Sequence, residues 1–336
     1  MADRTSMALR REKMNTSLYT LIDLFAATKR TEGRSPKTID WYCDFLRKFA
    51  KYLGENPTIS HVTLDNARSF VAFLQGQTTR WNGHPLIPAQ EGGFSPYTIH
   101  GYVRTLKAFA SWLVEEGFTG TDVFAKLKRP KLPQPMIEIL SDDEIAALLK
   151  EINPRCFFGA RLYATFLLLL DTGIRARELC TLTVDNVFLD QDYIKVLGKG
   201  RKERIVPFCA ATKKALIRYI ETWRPEPAHE QVRELFLSAD GEPLEYNGLL
   251  QSIKRLGKSA GVPRLHPHLF RHTFAVKYLM NGADVMTLKM ILGHSTLEVT
   301  QVYMHLAEAH VQVQHSRFSP VDRLRITTGR RGKKVV

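Results

Sequence analysis

No stretch of this chain approaches the roughly 20 apolar residues that a bilayer-crossing helix needs. The most apolar run, residues 166–170, is far too short, which argues against a helical span. The first fourteen residues carry Arg4, Arg10, Arg11 and Lys13 with no apolar region behind them, so they do not read as a secretory signal. The expectation is a soluble, cytoplasmic protein. Cysteine is sparse: Cys43, Cys156, Cys180 and Cys209 are widely scattered with no Cys-x-x-Cys pair, which argues against a zinc knuckle and a disulfide framework and leaves reduced, buried thiols as the expectation. There is no Gly-x-x-x-x-Gly-Lys-Ser/Thr phosphate loop and no acidic cluster suited to magnesium, so neither ATP nor a metal nor any other cofactor is expected. Acidic residues are also in short supply, with 34 Asp and Glu against 48 Lys and Arg and a formal net charge of +14. Such a positive field suits a polyanionic partner, and nucleic acid is the leading candidate.

With 336 residues there is room for two domains, each with its own core. In the first half, Ser35-Pro36-Lys37-Thr38-Ile39 with Tyr42 recurs as Ser95-Pro96-Tyr97-Thr98-Ile99 with Tyr102. The match continues through Leu46/Leu106, Phe49/Phe109, Ala50/Ala110 and Leu53/Leu113. Each copy reads as a helix start, because Ser accepts bonds from orphan backbone N–H groups and Pro at the first helical position sacrifices none. Two copies make a small helical domain with local pseudo-symmetry rather than a solenoid. Residues 75–94, with Trp81, Gly83, Pro85, Pro88, Gly92 and Gly93, show no periodicity and read as a long loop.

The expected organisation is a basic N-terminal extension (1–16), a helical domain (17–126), a basic linker stiffened by Pro130, Pro133 and Pro135 (127–137), a second domain (138–310) and a basic tail (311–336). In the second domain Ser141-Asp142-Asp143-Glu144 reads as a capping box. Residues 163–170 read as a helix. Residues 193–197 and 204–208 read as short strands around a Gly198-Lys199-Gly200 hairpin. Further helices are expected near 270–281, 285–292 and 296–309, with Gly282 and Gly293 at C-caps and a second capping box from Ser295 to Glu298.

Four segments could carry chemistry: Thr172-Gly173-Ile174-Arg175 with Glu178, the Lys199 hairpin, His268-Leu269-Phe270-Arg271, and Gly293-His294 with Tyr303 following. Taken singly, each has an ordinary reading as a surface arginine, a turn lysine or a tyrosine on an amphipathic helix. Glu178, three residues after Arg175, can brace its guanidinium. His266, His268, His272, His294 and His305 invite a metal reading. In a helix starting near Phe270, however, His272 would point away from His268, and no carboxylate or cysteine stands at ligand spacing.

Together these segments resemble the tyrosine recombinase family of phage integrases and Xer-like enzymes. Thr172 to Leu179 is similar to its Thr-Gly-x-Arg-x-x-Glu-Leu box, and Gly198-Lys199-Gly200 through Lys202-Glu203-Arg204 and Pro207 to its lysine hairpin. His268 to Arg271, with His272 behind, resembles its His-x-x-Arg box, and Leu292-Gly293-His294-Ser295 through Tyr303 and His305 its terminal box. Order and spacing agree across residues 140–310, and the Ser-Pro-x-Thr-Ile helix starts resemble the family's core-binding domain more loosely.

The resemblance implies a mostly α fold with a small β-sheet or hairpin: a helical core-binding domain followed by a mixed α+β catalytic domain. It implies Tyr303 as nucleophile giving a 3′-phosphotyrosine, with Arg175 and Arg271 stabilising the charge that builds on the phosphate. His268 and His294 would hydrogen-bond phosphate oxygens, with His268 the candidate to take the tyrosine proton, and Lys199 would be the general acid for the departing 5′ oxygen. The implied partner is double-stranded DNA, held by a homo-tetramer on two sites, with any accessory protein unknown. The subtype suggested is a two-domain Xer-like or transposon-borne enzyme. A type IB topoisomerase-like nicking-resealing enzyme and a non-catalytic DNA-binding protein are the alternatives.

Overall fold

A computed structural model describes residues 15–80, 90–133, 137–198, 203–293 and Tyr303. The chain divides into two compact units, Met1–Pro135 and Met136–Val336.

The first unit is built from helices α1 (Leu18–Thr31), α2 (Pro36–Leu53), α3 (Leu64–Gly76) and α4 (Pro96–Glu115). The two Ser-Pro starts behave alike: the Ser35 and Ser95 hydroxyls accept from the backbone N–H of Thr38 and Thr98 at 3.3 and 3.2 Å, and Pro36 and Pro96 occupy the first turn. Aromatic residues fill the core, with Phe25, Phe49, Phe70 and Phe109 fully buried and the rings of Phe45 and Tyr102 stacked at 3.8 Å. Lys107 reaches from α4 to the carbonyls of Phe124, Ala125 and Leu127 at 2.8, 2.9 and 3.3 Å, pinning the chain that leaves the helix. The expected loop is shorter than its composition suggested. Helix α3 runs to Gly76, and β1 (Thr79–Arg80) pairs antiparallel with β2 (Gln90–Glu91), leaving 81–89 outside the described residues.

The second unit is mostly helical with one small sheet. Helix α5 (Asp142–Glu151) opens with the expected capping box, in which Ser141 Oγ accepts from Glu144 N–H at 3.1 Å and the Glu144 carboxylate accepts from Ser141 N–H at 2.9 Å. Then come α6 (Phe157–Thr172), the short α7 (Ala176–Cys180), and strands β3 (Val187–Phe188), β4 (Tyr193–Leu197) and β5 (Glu203–Pro207) in the antiparallel order β3-β4-β5. Helix α8 (Ala210–Arg218) runs into a π turn, and α9 (Tyr246–Ser259), α10 (Pro267–Met280) and α11 (Val285–Leu292) complete the described part. Apolar on nearly all sides, α6 occupies the middle of the core, where Phe166 meets Phe270 of α10 edge-on at 4.9 Å. Among the described residues no helix is long and apolar enough to cross a membrane.

Several expectations shift. Helix α10 starts at Pro267, ahead of Phe270, because proline's fixed φ suits the first helical turn. Cys43 and Cys180 are buried, but Cys156 and Cys209 are exposed, since they sit at the N-caps of α6 and α8 where the chain enters from the surface. The second capping box, from Ser295, lies outside the described residues, as does all of the expected last helix except Tyr303.

The end of α6 fixes the site's geometry. Gly173 caps it in the left-handed region (φ 61°, ψ 18°), and a Cβ there would run into the Phe274 ring and stand 2.9 Å from Leu292 Cδ2. Gly173→Ala is expected to cost about 1–3 kcal/mol through forced left-handed backbone, plus any repacking, measured by urea unfolding. A loss under about 0.5 kcal/mol would contradict this packing.

Candidate active site

Three helix ends converge on one guanidinium. Arg271, in the first turns of α10 and only 4% exposed, donates to the carbonyls of Gly173 at 2.7 Å and Leu292 at 2.8 Å. Those carbonyls lie at the C-terminal ends of α6 and α11, where the helix dipoles place partial negative charge, so a cation is well held there. Burial, reinforced by the nearby charge of Arg175, draws the Arg271 pKa down to about 10, which leaves it charged at neutral pH.

Arg175 precedes α7, and its backbone N–H and its Nη1 both donate to the Glu178 carboxylate at 2.8 Å. Glu178 is 7% exposed and also receives both Nη groups of Arg204, at 2.9 and 2.8 Å. Burial would raise its pKa, but the bonds from Arg204 and Arg175 outweigh it and hold the carboxyl below its ordinary range. Arg204 lies on β5 and donates through Nε to the Ile291 carbonyl of α11 at 2.7 Å. Gly293 ends α11 at φ 63°, where a Cβ would press to 3.1 Å on the Arg204 side chain. One carboxylate thus ties together the Arg175 turn, the strand leaving the Lys199 hairpin and the turn before His294. Arg175 remains 36% exposed, bordering an open cleft of 780 Å³ that Leu197, Gly198 and Tyr246 also line.

On α10, His268 and His272 are four residues apart and share a face, with ring centroids 6.5 Å apart. The expectation that His272 points away from His268 is therefore wrong, because it started the helix three residues too late. No group of three or more His, Cys, Asp or Glu among the described residues is placed to hold a metal ion. The Nδ1 of His272 lies 2.9 Å from the Tyr303 hydroxyl, with the rings at 5.7 Å. Tyr303 is 4% exposed. Burial pushes its pKa up, while the charges of Arg271 and Arg175 act in the opposite direction. Partial burial, followed by the charges of His268, His266 and Arg271, holds the His272 pKa below the usual histidine value. His268 shifts down as well, through desolvation of its ring and then the charges of Arg271, His266 and Arg175.

Of the sequence-predicted residues, Arg175, Glu178, Arg271, His268 and Tyr303 are placed in the second unit, whereas Lys199 and His294 lie outside the described residues. Arg204 and His272 were quoted within motifs but given no role. Arg204 could have been found by strand parity, since it shares a face with buried Val206. His272 was hidden by the misplaced helix start.

A tyrosine, two arginines and a histidine face are thus gathered around helix ends on a mostly helical fold. The family model described as the phage integrase family matches residues 138–310. Tyrosine recombinase XerD of Staphylococcus aureus is 33% identical over 291 residues, covering 86% of this chain and 94% of that protein. The integrase of the Tn1549 transposon, solved with a circular intermediate DNA, shares the fold at a TM-score of 0.68 and 19% identity, covering 86% of this chain and 94% of that one. XerH bound to its difH substrate in a pre-cleavage complex shares it at a TM-score of 0.64 and 23% identity, over 87% and 82% of the two chains. The chain belongs to the phage integrase family: it is a tyrosine recombinase, an enzyme of site-specific DNA strand transfer.

The Glu178 bridge makes a stability prediction. Arg204→Ala removes a bidentate partner from a buried carboxylate and is expected to cost about 3–5 kcal/mol at pH 7. Because the folded Glu178 pKa lies below its ordinary 4.5, the stabilisation is fully present above that value and is lost as pH falls through the folded pKa. Denaturant unfolding of both proteins should show the gap narrowing below about pH 4.5. A gap independent of pH would place the arginine's contribution elsewhere.

Proposed function

We propose that this recombinase cuts and rejoins duplex DNA through a 3′-phosphotyrosine on Tyr303, in the manner of a two-domain Xer-like or transposon-borne enzyme. The observation carrying this reading is the buried Tyr303 hydroxyl, 2.9 Å from His272 on the helix whose Arg271 is anchored by two helix-end carbonyls. Phosphodiester cleavage builds negative charge on the non-bridging oxygens, and cations already fixed in place stabilise it without reorganisation. Arg175, at the cleft, offers its fork to the phosphate. Arg271, anchored by two carbonyls, adds charge from a fixed seat, and Glu178 positions Arg175. His268 and His294 bond further phosphate oxygens, and Lys199 protonates the departing 5′ oxygen. The covalent intermediate conserves the phosphodiester bond energy, so resealing draws on no nucleotide.

Duplex DNA as partner is supported by the solved relatives, since the Tn1549 integrase and XerH are both described bound to DNA. Residues 17–126 act as the core-binding domain, 127–137 as the basic linker, 138–310 as the catalytic domain and 311–336 as a docking tail. Phosphate contacts from these segments set register on the duplex while a few side chains read bases. Four protomers on two sites in the cytoplasm complete the proposal.

On a nicked suicide duplex carrying a site selected from random DNA, the wild type should accumulate a covalent adduct, and Tyr303→Phe should bind as tightly yet form none. Adduct with Tyr303→Phe would remove Tyr303 as nucleophile, and resealing without any exchange between two sites would leave a nicking-resealing enzyme instead. Lys199→Ala should slow cleavage at least 100-fold, about the scale of general acid catalysis, with little change in DNA affinity. A 5′-bridging phosphorothioate, whose leaving group needs no acid, should restore the rate, and failure to do so would remove Lys199 as the acid.

A further inference from the structure

The sequence motifs singled out His268 for the tyrosine proton, but the structure puts a different histidine against the reacting oxygen. Within the recombinase reading, on which this inference rests, we propose that His272 is a catalytic residue: its Nδ1 takes the proton from the Tyr303 hydroxyl during cleavage and returns it during resealing.

The argument begins with distance. Nδ1 of His272 and the Tyr303 hydroxyl lie 2.9 Å apart, inside the reach a general base needs of the proton it removes. His268 sits one turn earlier on the same face and is more exposed, its ring centroid 6.5 Å from that of His272. That position suits a phosphate ligand, while His272 occupies the half-buried position between α10 and the tyrosine. The proposed step uses the neutral tautomer with its proton on Nε2, in which Nδ1 accepts from the phenol.

The surroundings keep the imidazole in that accepting form. Its ring is partly desolvated, and His268, His266 and Arg271 all disfavour a second positive charge. Burial raises the Tyr303 pKa, and the charges of Arg271 and Arg175 act against it, in the direction that stabilises the oxyanion as the proton leaves. As the Tyr303 oxygen bonds to phosphorus and the bond from phosphorus to the 5′ oxygen breaks, the phenolic proton moves to Nδ1. The leaving oxygen takes its proton from the general acid assigned to Lys199. In resealing, a 5′ hydroxyl attacks phosphorus and gives its proton back to the amine assigned to Lys199, the tyrosine oxygen leaves, and the imidazolium proton returns to that oxygen. The cycle balances with no external reagent.

Two variants of the full chain separate proton transfer from mere positioning. His272→Ala removes both base and hydrogen bond, whereas His272→Asn keeps a polar group near the Nδ1 position but cannot accept a proton at neutral pH. With saturating nicked duplex, both are expected to form the Tyr303 adduct about 100-fold more slowly than wild type, in line with general base catalysis. DNA affinity near wild type certifies the fold, and added imidazole should speed the Ala variant several-fold. A slow Ala variant beside an Asn variant of full rate would overturn proton transfer and leave His272 a positioning group. Full rate in both would overturn the inference while leaving the recombinase reading intact. Absence of adduct in the wild type would overturn both together.

Discussion

A single buried carboxylate governs the site. Glu178 accepts from Arg175 at the cleft and from both Nη groups of Arg204 on the hairpin strand, so two guanidinium groups that would repel one another are held at fixed positions. Without that charge between them, Arg175 would lose its brace at the cleft, and the hairpin strand would lose its tie to the Arg175 turn. The bridge is costly to bury and dependent on good geometry. Its two-sided pairing supplies that geometry.

Arg271 obeys the same logic with neutral partners. It is held by the last carbonyls of α6 and α11, so the charge is seated by backbone that cannot rotate away. This explains why Gly173 and Gly293 matter beyond capping: the left-handed turns they allow bring those helix ends together, and the space a Cβ would take is filled by Phe274, Leu292 and Arg204. The site is thus built on helix termini from separate stretches of the chain, which fixes its charges in place.

Much of this was legible in the sequence because the relevant signals are local. The Ser-Pro helix starts, the Ser141 capping box and the Gly293 C-cap depend on a few neighbouring residues and lie where local chemistry puts them, whereas Asn281 takes the cap position expected of Gly282. Arg175, Glu178, His268, Arg271 and Tyr303 could be named because their motifs resemble those of a family. What could not be read was anything decided across the fold. Arg204 becomes a partner of Glu178 only when β5 packs beside α7 and α11, and His272 meets Tyr303 only when α10 begins at Pro267 and a distant segment returns to it. The exposed Cys156 and Cys209 illustrate the same limit, since composition favours buried thiols and only the surface position of two N-caps overrides it.

The central claim is that the arginines are fixed before DNA arrives and that Tyr303 meets the phosphate between them. The most direct test is a crystal structure of the protein on nicked duplex with orthovanadate replacing the scissile phosphate. The account predicts vanadium bonded to the Tyr303 oxygen, with Arg175 and Arg271 on its equatorial oxygens and the Glu178 bridge and carbonyl anchors unchanged. Vanadate bound away from Tyr303, or Arg271 released from Gly173 and Leu292 to reach it, would contradict the account.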